Sequence, residues 1–246
     1  MYVILFLIFS LLSVFSFQIK TFRHTRKNQL KASLNGFELG AITLASGLLL
    51  DNTVSKKSLD VLKSNSKELY NNGMKKVINN LLVLGPIYYL GVENFLIKDT
   101  ISNVNFIETF NIVLVHSFGY YLTHRAMHKN DYFKKFHNFH HKFNETLVPS
   151  IGNAVSEGEF TFAYMFPFVI GTTIYSPNIN SLNFAIMIVS IMNLIIHCQE
   201  LKDNNWNEFF VSPETHLNHH QSKNKFSTYS APTFNLENIF RKILRK

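Results

Sequence analysis

The sequence predicts an all-α membrane protein: about four transmembrane helices plus an N-terminal anchor, under a cytosolic histidine-rich helical cap. Three observations predict it. Apolar runs of bilayer length alternate with stretches rich in Lys, Arg, Asn and His. Basic residues crowd the flanks of those runs, which marks the flanks as cytosolic. Of the 11 histidines, eight fall into three tight clusters, two of them separated from the third by a pair of apolar segments.

The elements follow in order. Residues 2–18 (YVILFLIFSLLSVFSFQ) are long enough to cross a bilayer, and Lys20, Arg23, Arg26, Lys27 and Lys31 follow at once. Phe17, Gln18 and Ile19 offer no small-residue cleavage site, so an uncleaved anchor with its basic flank in the cytosol is expected over residues 1–36. Residues 37–79 read as an interfacial helix (FELGAITLASGLLL) and a polar, Lys/Asn-rich linker and helix. Residues 80–246 form the third division. Its first two passes are 81–97 and 105–122, joined by a turn at Lys98–Val104, with Gly85-Pro86 kinking the first. Residues 160–175 and 182–197 make a second hairpin that returns to the side it left. The clusters on either side of it therefore share one face of the membrane.

The net charge of +8 raises nucleic acid as a partner, but no nucleic-acid module is present and the cations sit beside apolar segments. Anionic headgroups explain the charge, and no nucleic-acid partner is expected. The single cysteine, Cys198, excludes an intramolecular disulfide framework and a cysteine-rich zinc site, and reads as core.

The chemistry lies in the histidines. His124 and His128 form HRAMH, His137, His140 and His141 form HNFHH, and His216, His219 and His220 form HLNHH. One HxxHH is expected by chance about 0.02 times in this composition. On a helix, positions three and four apart share a face, so each cluster is expected to aim its imidazoles in one direction. Asn130-Asp131 can cap a helix carrying the whole of HNFHH, and Ser212-Pro213 can start the one carrying HLNHH. His116, about 12 Å deeper than His124 on the same helix, is too far to share a metal with it and reads as core or cavity lining. Eight imidazoles with few carboxylates suit two metal ions with open positions, and ligand type alone leaves zinc, copper, iron and nickel open.

HxxxH, an eight-residue gap, HxxHH, a membrane hairpin and a final HxxHH resemble the fatty acid hydroxylase/sterol desaturase superfamily of membrane di-iron oxygenases. The likeness covers roughly residues 80–240 and includes HHKFNETLVPS and YSAPTFNLENIF. It implies two iron ions and O2-dependent hydroxylation or desaturation of a sterol, sphingoid or fatty acyl lipid. It also implies electrons from an external cytochrome b5-type donor and its reductase, and an endoplasmic reticulum setting. His197, at the end of the last membrane helix, matches a further ligand position, and Asn193 one turn earlier is expected to reach a metal through water. No catalytic residue beyond the metal ligands is expected.

Two stretches depart from the family pattern. NAVSEGE stands where many relatives have an Ala-His-Pro-like segment, with Ser156 near the histidine's place, and Ser117 stands where many have an aspartate before HxxxH. Glu157 and Glu159 read either as a replacement contact or as a solvated loop. The rival reading keeps the histidines without the redox chemistry, as a zinc-binding membrane protein or an inactive scaffold.

Overall fold

The computed structural model describes residues 34–97, 102–221, 228–230 and 232–244. The expected anchor at 2–18 and its basic flank lie outside the described residues. Among those described, the chain is helical, and the one β contact is an isolated bridge between Phe210 and Phe234.

α1 (Gly36–Thr53) opens with a capping box: Asn35 accepts from the Glu38 amide while the Glu38 carboxylate accepts from the Asn35 amide. α2 (Lys56–Asn79) runs through a π-helical turn at Asn80–Leu84 into α3 (Gly85–Phe95). Pro86 has no N–H to donate, and the Gly85 amide reaches back to the Asn80 carbonyl, so the turn widens where a kink was expected. Next come α4 (Phe106–Lys129), α5 (Asp131–His137) and α6 (Glu157–Glu159). A second π-helical turn, Phe160–Met165, leads from α6 into α7 (Phe166–Tyr175) and again precedes a proline, Pro167. α8 (Ile179–Ile196), α9 (Pro213–Gln221) and α10 (Leu236–Leu244) complete the order.

α4 is the central strut. α7 and α8 both pack along it, and Ile112, Val113, Phe168, Leu182, Ala185 and Val189 form the core between them. A second core lies under the cap, where Leu147, Val148, Ile151, Ala154 and Val155 meet Leu59, Tyr70 and Val77 of α2. Buried polar contacts fix the 149–155 segment that floors the site. Asp51 accepts from the Ser150 amide at 2.9 Å, and the Asn80 side chain donates to the carbonyls of Asn153 and Val155 at 3.0 and 3.1 Å.

The outer surface is apolar in stripes. Phe106, Phe110, Leu114, Phe118 and Leu122 are exposed at steps of four, a band about 24 Å long at 1.5 Å per residue. Phe162, Phe166, Ile170 and Ile174 repeat the pattern beside the second hairpin. Patches of this size are not left in water by ordinary soluble proteins. α8, with mean hydropathy 2.0 over 18 residues, is the one described helix both long and apolar enough to cross a bilayer. Residues 81–97 and 160–175 are apolar but begin in π-helical turns, so the regular helices there are short.

Candidate metal centre

The cap brings nine histidines together in two abutting groups. His124, His128, His137, His141 and His219 form one; His140, His197, His216 and His220 form the other; in each, the ligand nitrogens lie within 4.8 Å of one another. The groups share a wall in which the His141 and His220 rings stack at 4.7 Å.

Each element delivers its side chains for a local reason. α4 stays helical to its last turn, and His124 and His128, four apart, share a face. Asn130, in extended conformation, ends α4 and caps α5 through the Tyr132 amide, as its position predicts. α5 stops at His137, however, and a 3-10 turn carries His140 and His141. The expectation that one helix bears all of HNFHH is thus corrected. So is the expectation that each cluster aims in one direction. In both HxxHH boxes the i, i+4 pair shares a group while the residue at i+3 crosses to the other. His137 and His141 join the first group and His140 the second; His216 and His220 join the second and His219 the first. α9 is seated where the sequence places it, with the Thr215 amide donating to the Ser212 hydroxyl. His197 caps the end of α8.

The nitrogens are spaced as ligands of a common ion. His124 Nε2 lies 2.8 Å from His137 Nε2 and 3.2 Å from His128 Nε2, and His141 Nε2 lies 2.8 Å from His137 Nε2. In the second group, His216 Nε2 lies 3.1 Å from His197 Nε2 and 3.2 Å from His220 Nε2. Metal–imidazole bonds of about 2.1 Å put neighbouring ligand nitrogens about 3.0 Å apart in octahedral and about 3.4 Å apart in tetrahedral geometry.

Protons alone cannot satisfy these contacts. A neutral imidazole carries one N–H. His124 donates its Nδ1–H to the Tyr229 carbonyl at 3.1 Å and His197 its Nδ1–H to the Asn193 carbonyl at 2.7 Å, which leaves a bare Nε2 lone pair facing each group. Both ring nitrogens of His219 and Nε2 of His140 are buried with no hydrogen-bond partner. Converging lone pairs in a buried pocket fit a cation.

Electrostatics point the same way. Desolvation, then the neighbouring imidazoles, hold His124, His137, His140, His216, His219 and His220 well below the ordinary histidine range. His128 is lowered to about 3 and His141 to about 4, chiefly by burial. The rings are therefore neutral, as metal ligands must be.

Glu159, which the sequence leaves as either a replacement contact or a solvated side chain, is not solvated. It is fully buried, and its Oε1 lies 2.6 Å from His137 Nδ1. Burial pushes its carboxyl up, and a cation on the far side of His137 favours the carboxylate that accepts the Nδ1–H. A signal was available. Ser156 caps α6 through the Glu159 amide, which turns Glu159 into the start of an apolar membrane-length run, where an ionisable group is functional by default. Glu157 instead meets the Asn79 side chain at the surface.

Other assignments fall outside the groups. His116 is buried with its ring 4.3 Å from Phe168, as core. Cys198 is buried with its thiol on the Leu194 carbonyl. Asn193 lines a cavity, and its Nδ2 is buried with no hydrogen-bond partner among the described residues.

That cavity ends at Asn193, one turn of α8 before His197. Its space, open solvent at the mouth included, comes to about 790 Å³, and its wall is apolar, with Leu39, Leu81, Val92, Phe160, Phe168 and Ile186 contributing. Along α8 it extends from Asn193 to Leu182, about 16 Å at 1.5 Å per residue. Gly152 packs against His197 and Asn193: a Cβ there would lie 3.0 Å from His197 Nδ1 and 3.1 Å from Asn193 Nδ2. Gly40 closes the cavity's side, because a Cβ there would fall 1.9 Å from the Leu81 carbonyl oxygen.

A family model described as fatty acid hydroxylase matches residues 109–241, more than half of the chain and all nine clustered histidines. No curated protein and no solved structure matches the chain.

Proposed function

The chain belongs to the fatty acid hydroxylase family, and from that premise we propose that it is a di-iron oxygenase that hydroxylates or desaturates a bilayer lipid. Membership makes it a membrane-associated protein of oxidoreductase type, and its histidines can hold metal. The observation that carries the finer reading is the meeting of two nitrogen-only groups, with an apolar cavity that ends at Asn193, one turn of α8 from His197. His124, His128, His137, His141 and His219 would hold one iron, and His140, His197, His216 and His220 the other. Bound there, the irons would supply the O2 chemistry needed to oxidise an unactivated C–H bond.

The chain's own residues do the rest. Glu159 and the carbonyls of Tyr229 and Asn193 orient three of the imidazoles. The cavity's apolar wall suits the hydrocarbon part of a lipid. The outward stripes support four helical passes, through residues 81–97, 105–122, 160–175 and α8. With the cap on the cytosolic side of the endoplasmic reticulum, a cytochrome b5-type donor would approach His128 and His141, the two histidines that are only half buried.

Anaerobic purification followed by metal analysis and turnover with ¹⁸O2, a donor and its reductase tests the reading. Two irons per chain and isotope in a sterol, sphingoid or acyl product, or O2-dependent formation of an alkene, are expected. Stable zinc with no lipid transformed would overturn the reading in favour of a zinc-binding membrane protein.

A further inference from the structure

The C-terminal helix is shaped for a surface that the rest of the chain does not supply. Leu236, Ile239, Phe240, Ile243 and Leu244 of α10 recur at helical spacing and make one apolar stripe. The first part of the stripe is covered: Leu236 and Ile239 pack with Tyr121 and Tyr229, and the Phe240 ring meets Tyr121 edge-on at 6.2 Å. The distal part is not. Ile243 is 64% and Leu244 84% exposed, and Phe209 beside them is 47% exposed.

The place of contact identifies the occupant. Tyr121 lies one turn before His124, at the cap end of the exposed stripe Phe106–Leu122, so the overhanging face of α10 continues that stripe sideways. Cations surround the junction. Arg125 is exposed with its guanidinium on the Tyr121 hydroxyl at 2.7 Å, Lys242 pairs with Glu208 and lies over the Phe209 ring, and four of the last six residues are Arg or Lys. An apolar face at the end of a lipid-facing stripe, rimmed by cations, is the pattern of a helix lying in the headgroup region.

We propose that α10 is an interfacial helix, with Phe240, Ile243 and Leu244 seated at the headgroup–acyl boundary of an anionic leaflet and Arg241 turned to the water. The inference rests on the membrane reading given above. It gives the bilayer a bearing on the metal centre. Glu237, in the first turn of α10, accepts from the Tyr229 amide and from the hydroxyls of Thr228 and Ser230, and the Tyr229 carbonyl holds His124. Seating α10 on the membrane therefore braces the five-histidine group.

The sole native cysteine is buried, so single nitroxide labels can be placed at Ile243→Cys, Arg241→Cys and Leu114→Cys in the full chain. In vesicles of phosphatidylcholine with phosphatidylserine, collision with O2 should exceed collision with a water-soluble nickel chelate at Ile243 and Leu114. The reverse should hold at Arg241. Omitting phosphatidylserine should shift the Ile243 label alone towards the chelate. An Ile243 label open to the chelate beside a lipid-exposed Leu114 would overturn the inference and leave the membrane reading standing. A water-exposed Leu114 would overturn both. An Ile243 label immobile and closed to both reagents would mean that protein covers the face, either the 2–18 segment or a second copy, and would also overturn the inference.

Discussion

The two histidine groups are built from the same kinds of motif and held in different ways. The five-histidine group leans on a buried carboxylate through His137 and on a loop carbonyl through His124. Two of its members, His128 and His141, are only half buried. The four-histidine group is buried throughout, is braced at His197 by the carbonyl of Asn193, and lies one turn of α8 from the end of the apolar cavity. One group is partly open to solvent at His128 and His141, and the other is closed to it. The difference separates two duties, so substitutions in the two groups should fail in different ways.

The largest effects should come from the crossing histidines. His219→Ala, in the last box, should empty the five-histidine group, and His140→Ala, in the middle box, should empty the other. Each should bring turnover below detection, as read by metal content per chain and by lipid mass spectrometry. If each substitution strips the group to which the rest of its own box belongs, the crossed arrangement is wrong.

Glu159→Gln should follow. Removing the charge behind His137 should weaken metal retention at the five-histidine group about 10- to 100-fold and leave the other group loaded. Chelator competition resolves the two, and equal loss from both would erase the contrast.

Acid should act next. The folded imidazoles titrate low, near 3 for His128 and near 4 for His141, while the unfolded chain takes up protons near the ordinary histidine value of about 6.5. The stability they contribute is thus complete above about 6.5 and is lost as pH falls towards their folded values. Thermal midpoints and metal retention should fall together over that range. The half-buried group should release its ion first, because solvent protons reach its nitrogens.

Asn193→Ala should have the smallest effect, because a backbone carbonyl, which the substitution keeps, orients His197. Both ions should stay and turnover should change less than about tenfold. Loss of metal from the four-histidine group would restore the side chain to the ligand role, through water, that its position on α8 suggested.

Much of this was legible in the chain. HxxxH and the two HxxHH boxes stand out by spacing, and the hairpin between them fixes them on one side. Ser212 and Asn130 announce their helices by cap chemistry that needs no tertiary partner. The split of the boxes was not legible, because it depends on α5 giving way to a 3-10 turn after His137, and 3.6 and 3.0 residues per turn look alike over five residues. The Tyr229 and Asn193 braces were hidden for a different reason: they are backbone carbonyls, and any residue supplies one. The contact between α1 and the π-helical turn hangs on Gly40, whose role appears only when the Leu81 carbonyl is set against it. Glu159 was visible as a residue, but its partner 22 positions away was not.

The crossed boxes behave like three-pronged forks, each with two tines in one group and one in the other. The gap between the two groups is then set by the rise from one tine to the next within a single turn of backbone, a length that exchanging side chains elsewhere cannot tune. Twisting either fork would open one group as it crowded the other.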